Sequence, residues 1–468
     1  MRTEHDALGD KEVPDEALYG IQTARAIENF PISGLAPRPE LVVGIVTVKK
    51  AAALVNRELG VLAAEKAQAI VRAADEVLDG AHREYFRVDP FQAGAGTSHN
   101  MNANEVLANR ANELLDGGPR GVYRPVHPND DVNKAQSSND AVPTAIRIAL
   151  QAPAAALLGE LARLQEALSA KGREFDHILK SARTHLQDAV PIRLGQEFAA
   201  YAVTVGKAHE RVERARDETR ALSIGGTAAG TCLNADPRFA PLMVAKLSEI
   251  VGVPFRPAAD LVQATQSLDD LVVFSAALRG AALSLIQIAN DLRLLSSGPR
   301  TGLAEITLPP VQPGSSIMPG KVNPVMAEML DMVCFHVVGA DTAVALAAQA
   351  GQLEINVMTP LVAYELLFAL ELLANALRVF IDRCVSGIVA DEEQCRLWGA
   401  RSLGLAAALN PYIGYEAAAE VAKEAYRSGK PVPDVVLEKG ILTPDELAER
   451  LDPASLTQPR RQAPDDGK

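Results

Sequence analysis

The densest set of reactive side chains is the stretch Gly314-Ser315-Ser316-Ile317-Met318-Pro319-Gly320-Lys321-Val322-Asn323-Pro324. Its glycines and prolines keep it out of a helix, which predicts a loop of special backbone shape. That loop carries hydroxyls, an ammonium and an amide, all partners for carboxylates. A Gly/Pro surface linker would share this composition, and composition alone leaves both readings open.

Two further clusters precede helical patterns: Gly94-Ala95-Gly96-Thr97-Ser98-His99-Asn100 and Ser137-Ser138-Asn139-Asp140. Each alone is most simply an N-cap, and Pro143 is tolerable if Asp140 or its neighbour is the cap. As a set they gather hydroxyls and free backbone N–H groups at several helix N-termini, which is what a small dianion requires. A fourth segment, Ser181-Ala182-Arg183-Thr184-His185-Leu186-Gln187-Asp188, is a polar break between helices carrying one of the chain's 8 histidines. A lone histidine is more often structural, but this setting suits an imidazole that hydrogen-bonds and titrates near neutrality.

The elements that must position these groups are long helices. Leu157, Leu161, Leu164 and Leu168 share one helical face. Leu271, Leu278, Leu285 and Leu292 repeat every seven residues, with Phe274, Ala281, Ile288 and Leu295 as a second series. Val272, Val273, Ala277, Leu283 and Ile286 extend the apolar surface beyond that seam, which predicts burial on several sides in a bundle or an oligomer core. Similar stretches cover about 325–350 and 361–387, and Thr443-Pro444-Asp445-Glu446 reads as a capping box with proline at the first helical position. The predicted division is a mixed, mostly helical part at 1–138, a long-helix bundle at 139–391 and a small helical part at 392–468 with a frayed tail.

Composition agrees with a mainly all-α chain. Hydrophobic residues make up 48% but aromatics only 4%, so the core is built from Ala, Leu, Val and Ile. A formal charge of -13 argues against nucleic-acid or anionic-membrane partners without forbidding a small anionic ligand. Cys232, Cys334, Cys384 and Cys395 are scattered and predict buried free thiols rather than a zinc site. The N-terminus lacks an apolar signal core, and no uncharged apolar run long enough to span a bilayer stands out, so the expectation is cytoplasmic.

The 314–324 string is similar to the mobile signature loop of the aspartase, class II fumarase and argininosuccinate lyase superfamily. The other segments, with Arg2-x-Glu4-x-Asp6-x-Leu8-Gly9, Val13-Pro14 through Tyr19-Gly20 and His127-Pro128-Asn129-Asp130-Asp131-Val132-Asn133, resemble it in order over nearly the whole chain. The resemblance implies a three-domain fold whose long helices form the core of a homotetramer, with active sites shared among three subunits. It implies anti elimination next to a carboxylate through an aci-carboxylate, with Ser315 as general base. Thr97, Ser137, Ser138 and Ser316 would hold the β-carboxylate, with Ser98 beside them, and Lys321, Asn323 and Thr184 the α-carboxylate. Asn139 and His185 would face the leaving group. No metal or organic cofactor is required by this scheme, and magnesium activation, which occurs in the family, stays open.

The leaving group decides the substrate. Gly96-Thr97-Ser98 before Asn100-Met101-Asn102, and the stretches Asp188–Phe198 and Asn290–Arg300, resemble aspartases, implying release of ammonia from L-aspartate to give fumarate. Ser138 and Gly225-Gly226-Thr227-Ala228 lean towards the fumarase form, so hydration of fumarate to malate is the alternative. N-substituted aspartates and a catalytically silent helical scaffold complete the set.

Overall fold

The computed structural model describes residues 1–458, so the tail expected to fray lies, from 459 on, outside the described residues. An N-terminal hairpin, β1 (Arg2–Asp6) and β2 (Gly9–Val13), leads into α1 (Ile21–Asn29), α2 (Pro39–Glu58), α3 (Ala64–Leu78) and α4 (Thr97–Leu114). Then come α5 (Ser138–Glu174), the hairpin β3 (Leu179–Thr184) and β4 (Gln187–Arg193), and α6 (Leu194–Glu218), α7 (Phe239–Val251) and α8 (Leu261–Gln266). Three long helices follow, α9 (Asp269–Leu295), α10 (Val325–Gln349) and α11 (Thr359–Arg383). The described chain closes with α12 (Glu392–Arg401), α13 (Leu405–Ile413), α14 (Tyr415–Ser428), α15 (Val432–Glu438), α16 (Pro444–Arg450) and α17 (Pro453–Leu456). The chain is mainly helical, as its composition predicts.

Residues 1–159, 208–283 and 333–375 form one compact unit; of the other described residues, 160–207, 284–332 and those from 376 on form a second. The long helices α5, α6, α9, α10 and α11 each contribute residues to both. The predicted seams are buried: Leu157, Leu161, Leu164 and Leu168 on α5, and Leu271, Leu278, Leu285 and Leu292 on α9. Val273 and Leu283 remain 44% and 53% exposed in the single chain, as do Met332 (64%) and Phe335 (57%) on α10. Four helical stretches are long and apolar enough to cross a membrane by length and composition, although each carries charged residues. Some of their charges are paired inside the chain: Arg147 with Asp270 at 2.7 Å, and Arg279 with Asp341 at 3.0 Å.

In the first unit, α4 shows why a helix rich in asparagine can be central. Asparagine is a mediocre helix former, but here its amides satisfy loop backbone that would otherwise be buried unpaired. Asn112 exchanges two 2.8 Å hydrogen bonds with the backbone of Val126, and Asn109 donates to Leu18 O at 2.8 Å. Glu105 accepts from the backbone N–H groups of Gly20, Gln22 and Thr23, fastening the start of α1. Gly44 lets α2 approach α5: a Cβ there would stand 2.3 Å from Ala145 O.

In the second unit, α13 to α16 enclose a small core that includes Leu409, Val421, Val436 and Leu447. The capping box at α16 forms as predicted, with Thr443 and Glu446 each accepting from the other's backbone N–H. Cys334, Cys384 and Cys395 are buried and in no disulfide, whereas Cys232 is only half-buried.

Candidate active site

The first unit brings two of the predicted clusters together at the N-termini of α4 and α5. Ala95 (φ 58°) and Gly96 (φ 66°) turn the chain sharply into α4, and Ala95 N–H is fixed on Val357 O at 2.8 Å. Gly96 is required on two counts, its left-handed φ and a Val142 methyl that would lie 2.8 Å from any Cβ. Thr97 is therefore the first residue of α4 rather than its cap, and its Oγ1 lies 3.2 Å from Ser138 Oγ. Ser138 is the first residue of α5. Two helix N-termini thus present hydroxyls side by side, with Thr97 exposed and Ser98, Ser137, Ser138 and Asn139 half-buried.

Of the cap candidates, Asp140 or its neighbour, Asp140 is not the cap. Ser137 Oγ accepts from Asn139 N–H at 3.2 Å, while Asp140 lies within the first turn of α5. Its buried carboxylate accepts from Ser137 N (2.9 Å), Gly225 N (3.0 Å) and Thr227 N (2.9 Å). Asn139 Nδ2 donates to Ala228 O at 2.7 Å, so the loop 225–228 and the start of α5 are one hydrogen-bonded piece. Pro143 sits inside the helix, where its missing N–H leaves the Asn139 carbonyl without its usual helical donor.

Beneath this piece lies a residue the sequence reading missed. Lys49 of α2 is fully buried, and its ammonium donates to Asn133 Oδ1 (2.8 Å) and Gln136 Oε1 (3.0 Å); Asn100 Nδ2 shares the same Asn133 oxygen at 3.1 Å. Burial pulls Lys49 down to about 7 against the field of Asp140. Burial also pushes Asp140 up to about 6, opposed by its backbone donors and by Lys49. The available signal was a lysine on the same helical face as Val42, Ile45, Ala52 and Ala53, all buried. His99 is also buried, and loss of solvent lowers it to about 4, so it is neutral.

The second unit holds the other predicted residues. The polar break around His185 proves to be a two-residue hairpin turn, with His185 (φ 56°) and Leu186 (φ 59°) both left-handed. Such a turn holds Thr184 and His185 out in solvent, and the imidazole has no hydrogen-bond partner among the described residues. Its root is a buried ionic lock. Glu305, 0% exposed, lies 2.8 Å from Arg183 Nη1 and 2.7 Å from Lys180 Nζ, and Lys180 also bonds Glu197 at 2.9 Å. The Lys180–Glu305 contact is an ion pair without hydrogen-bond alignment at Oε2.

The loop 314–324 is pinched at its base. Gly314 N–H donates to Lys321 O at 2.8 Å, and Asn323 Nδ2 donates to Gly314 O at 2.8 Å. A Cβ on Gly314 would stand 2.4 Å from Lys321 O, so glycine is obligatory for the pinch. At the tip Ser315 Oγ accepts from Ile317 N (3.2 Å) and Met318 N (3.1 Å), two donors that favour an anionic oxygen. Ser316 and Lys321 are exposed, and Ile317 is 83% exposed. The first unit therefore carries Thr97, Ser98, Ser137, Ser138 and Asn139, and the second Thr184, His185, Ser315, Ser316, Lys321 and Asn323. No group of three or more His, Cys, Asp or Glu side chains among the described residues is placed to hold a metal ion.

A lyase family model matches residues 9–339, and a fumarase C C-terminus model matches residues 405–458. The chain belongs to this lyase family. The lyase is 51% identical to an aspartate ammonia-lyase of Pseudomonas fluorescens over 98% of its own length and 97% of that protein's. It is similar to the crystal structure of a fumarate lyase:delta crystallin from Brucella melitensis bound to cobalt (TM-score 0.95, 49% identity, covering 98% of this chain and 100% of that one). A recombinant class II fumarase from Schistosoma mansoni shares the lyase fold at a TM-score of 0.94 but only 36% identity, over 98% of this chain and 100% of that one.

Proposed function

We infer that this lyase is an aspartate ammonia-lyase, a carbon–nitrogen lyase converting L-aspartate to fumarate and ammonia. The observation that carries the substrate is near-full-length identity of 51% to an aspartate ammonia-lyase, against 36% to a class II fumarase of the same fold. The geometry that supports the chemistry is the pair of hydroxyl-bearing helix N-termini, 3.2 Å apart at Thr97 and Ser138.

In the reading proposed here the β-carboxylate of L-aspartate is held by Thr97, Ser98, Ser137, Ser138 and Ser316. Lys321, Asn323 and Thr184 hold the α-carboxylate. Ser315, as an oxyanion sustained by the Ile317 and Met318 N–H groups, takes a proton from Cβ. The electron pair moves onto the β-carboxylate to give an aci-carboxylate, whose second negative charge the preorganised donors absorb. Collapse of that dianion forms the carbon–carbon double bond and breaks the carbon–nitrogen bond, with Asn139 and His185 facing the departing ammonia. Closure of the loop excludes water and strengthens each of these interactions. Asn323 already uses one amide N–H at the loop base, which leaves its second N–H to donate to the α-carboxylate.

A homotetramer with active sites shared among three subunits is part of the reading; exposed Val273, Leu283, Met332 and Phe335 on the long helices support it. So is a cytoplasmic location. No step is assigned to a metal, and magnesium activation stays outside the scheme. Purified protein with L-aspartate and, separately, L-malate, followed by fumarate absorbance, tests the substrate. Release of fumarate from L-aspartate is expected; turnover of L-malate alone would make the chain a fumarase.

A further inference from the structure

The second unit contains a cavity of about 380 Å³ that none of the steps above uses, within the range of small-molecule sites. One wall is the root of the catalytic hairpin, with Ile178, Ser181, Ala189 and Pro191; the opposite wall is Ala400 and Leu405 of α12 and α13. Leu451 and Leu456 close one side. The lining is mostly apolar, and its buried hydroxyls are already engaged, since Ser181 Oγ bonds Ser402 Oγ at 2.9 Å.

Of the charged side chains lining the cavity, Lys180 is held by Glu197 and Glu305, whereas Glu392 and Arg396, of opposite sign and both exposed, come from successive turns of α12. Glu392 and Arg396 are spaced i, i+4 in the orientation that normally pairs on a helix. They are not paired: Glu392 turns to His177 at 3.2 Å, and Arg396 has no hydrogen bond or ion pair among the described residues. An unengaged guanidinium beside an apolar hollow suits a carboxylate with an apolar tail. The neighbouring carboxylate would repel a plain fatty acid but welcomes an ammonium. We propose that this cavity binds the zwitterion of an apolar α-amino acid. Its carboxylate sits on Arg396, its ammonium on Glu392 and its side chain between Ile178 and Leu405.

Occupancy reaches the hairpin through a rigid contact. Ser402 Oγ donates to Ala189 O at 3.2 Å, and Gly404 packs so tightly that a Cβ there would fall 1.9 Å from the same oxygen. A ligand seated between these elements shifts β4, and with it the turn bearing Thr184 and His185. This regulatory part rests on the role given to His185 above; the binding part does not.

The test is calorimetric titration of the full-length assembled protein with L-leucine and with 4-methylpentanoate, the same skeleton lacking the ammonium. Leucine binding at one site per chain is expected, with the acid at least about tenfold weaker. Arg396→Ala should weaken leucine by about tenfold or more, and Ala400→Trp, which fills the hollow from an exposed position, should abolish binding; both should keep the parent melting temperature and leucine-free turnover. Saturating leucine should change KM for L-aspartate by at least about threefold in the parent and not in Ala400→Trp. Absence of leucine binding, equal binding of the acid, unchanged affinity in both variants, or displacement of leucine by L-aspartate would each overturn the proposal. Binding without a change in turnover would overturn only its regulatory part.

Discussion

The two hydroxyl-bearing regions are built on opposite plans. Around α4 and α5 three of the site residues are backed by fixed partners: Ser138 by Thr97, Asn139 by the Ala228 carbonyl and Asp140 by three backbone N–H groups, with Lys49 buried below. In the second unit the hairpin turn and the loop tip are exposed, and only their roots are fixed, by Glu305 and by the Gly314–Asn323 pinch. The contrast matches the chemistry. Stabilising a dianion needs donors that do not reorganise, whereas delivering a base and closing over substrate needs a segment that moves.

Removing the base should break the contrast most severely. Ser315→Ala is expected to lower kcat by about 10⁴-fold, with melting temperature and assembly unchanged, since its oxygen bonds only its own loop. Steady-state kinetics and size-exclusion chromatography check this, and an active variant would free Ser315 of the role. Next is the hairpin root. Glu305→Gln leaves Lys180 and Arg183 without their shared carboxylate in a buried site, an expected loss of about 3 kcal/mol in stability by denaturant melts. If the lock aims His185, kcat falls as well, while Arg183→Met reduces kcat with a smaller stability loss. On the rigid side, Ser138→Ala should cost about 10²-fold in kcat with stability nearly unchanged, because a preorganised donor is lost where charge develops.

The smallest effect is electrostatic. Because burial lowers Lys49 to about 7, the folded chain binds fewer protons than the unfolded one from pH 7 up to the ordinary lysine range. Stability therefore rises with pH across that window, by at most about 1.4 kcal/mol per pH unit, and is flat in this respect below pH 7. Asp140 acts oppositely at lower pH: raised to about 6, it makes stability fall as pH climbs from the ordinary carboxylate range to 6. Lys49→Met should lack the rise above pH 7 in denaturant melts; a parent-like slope would assign that rise to other groups.

The elements legible in the sequence were those set by period and by local chemistry. The α5 and α9 seams and the Thr443–Glu446 box are written in neighbouring residues, and they appear in the structure where the pattern puts them. The hairpin at 179–193 was read only as a break, because its strands are short and polar and its turn uses His-Leu instead of the usual Asn-Gly. Lys49 and Glu305 were missed because their partners are distant in sequence: Lys49 meets Asn133, and Glu305 meets Lys180 and Arg183. The cap stayed open between Asp140 and its neighbour because the sequence does not show that Gly225 and Thr227 supply the donors of Asp140.

A crystal structure of the assembled protein with a four-carbon dicarboxylate bound addresses the central claim directly. The account predicts one carboxylate within hydrogen-bond distance of Thr97 and Ser138 and the other near Lys321, with the Ser315 loop closed over both. A dicarboxylate bound elsewhere, with those side chains on separate surfaces of the assembly, would contradict it.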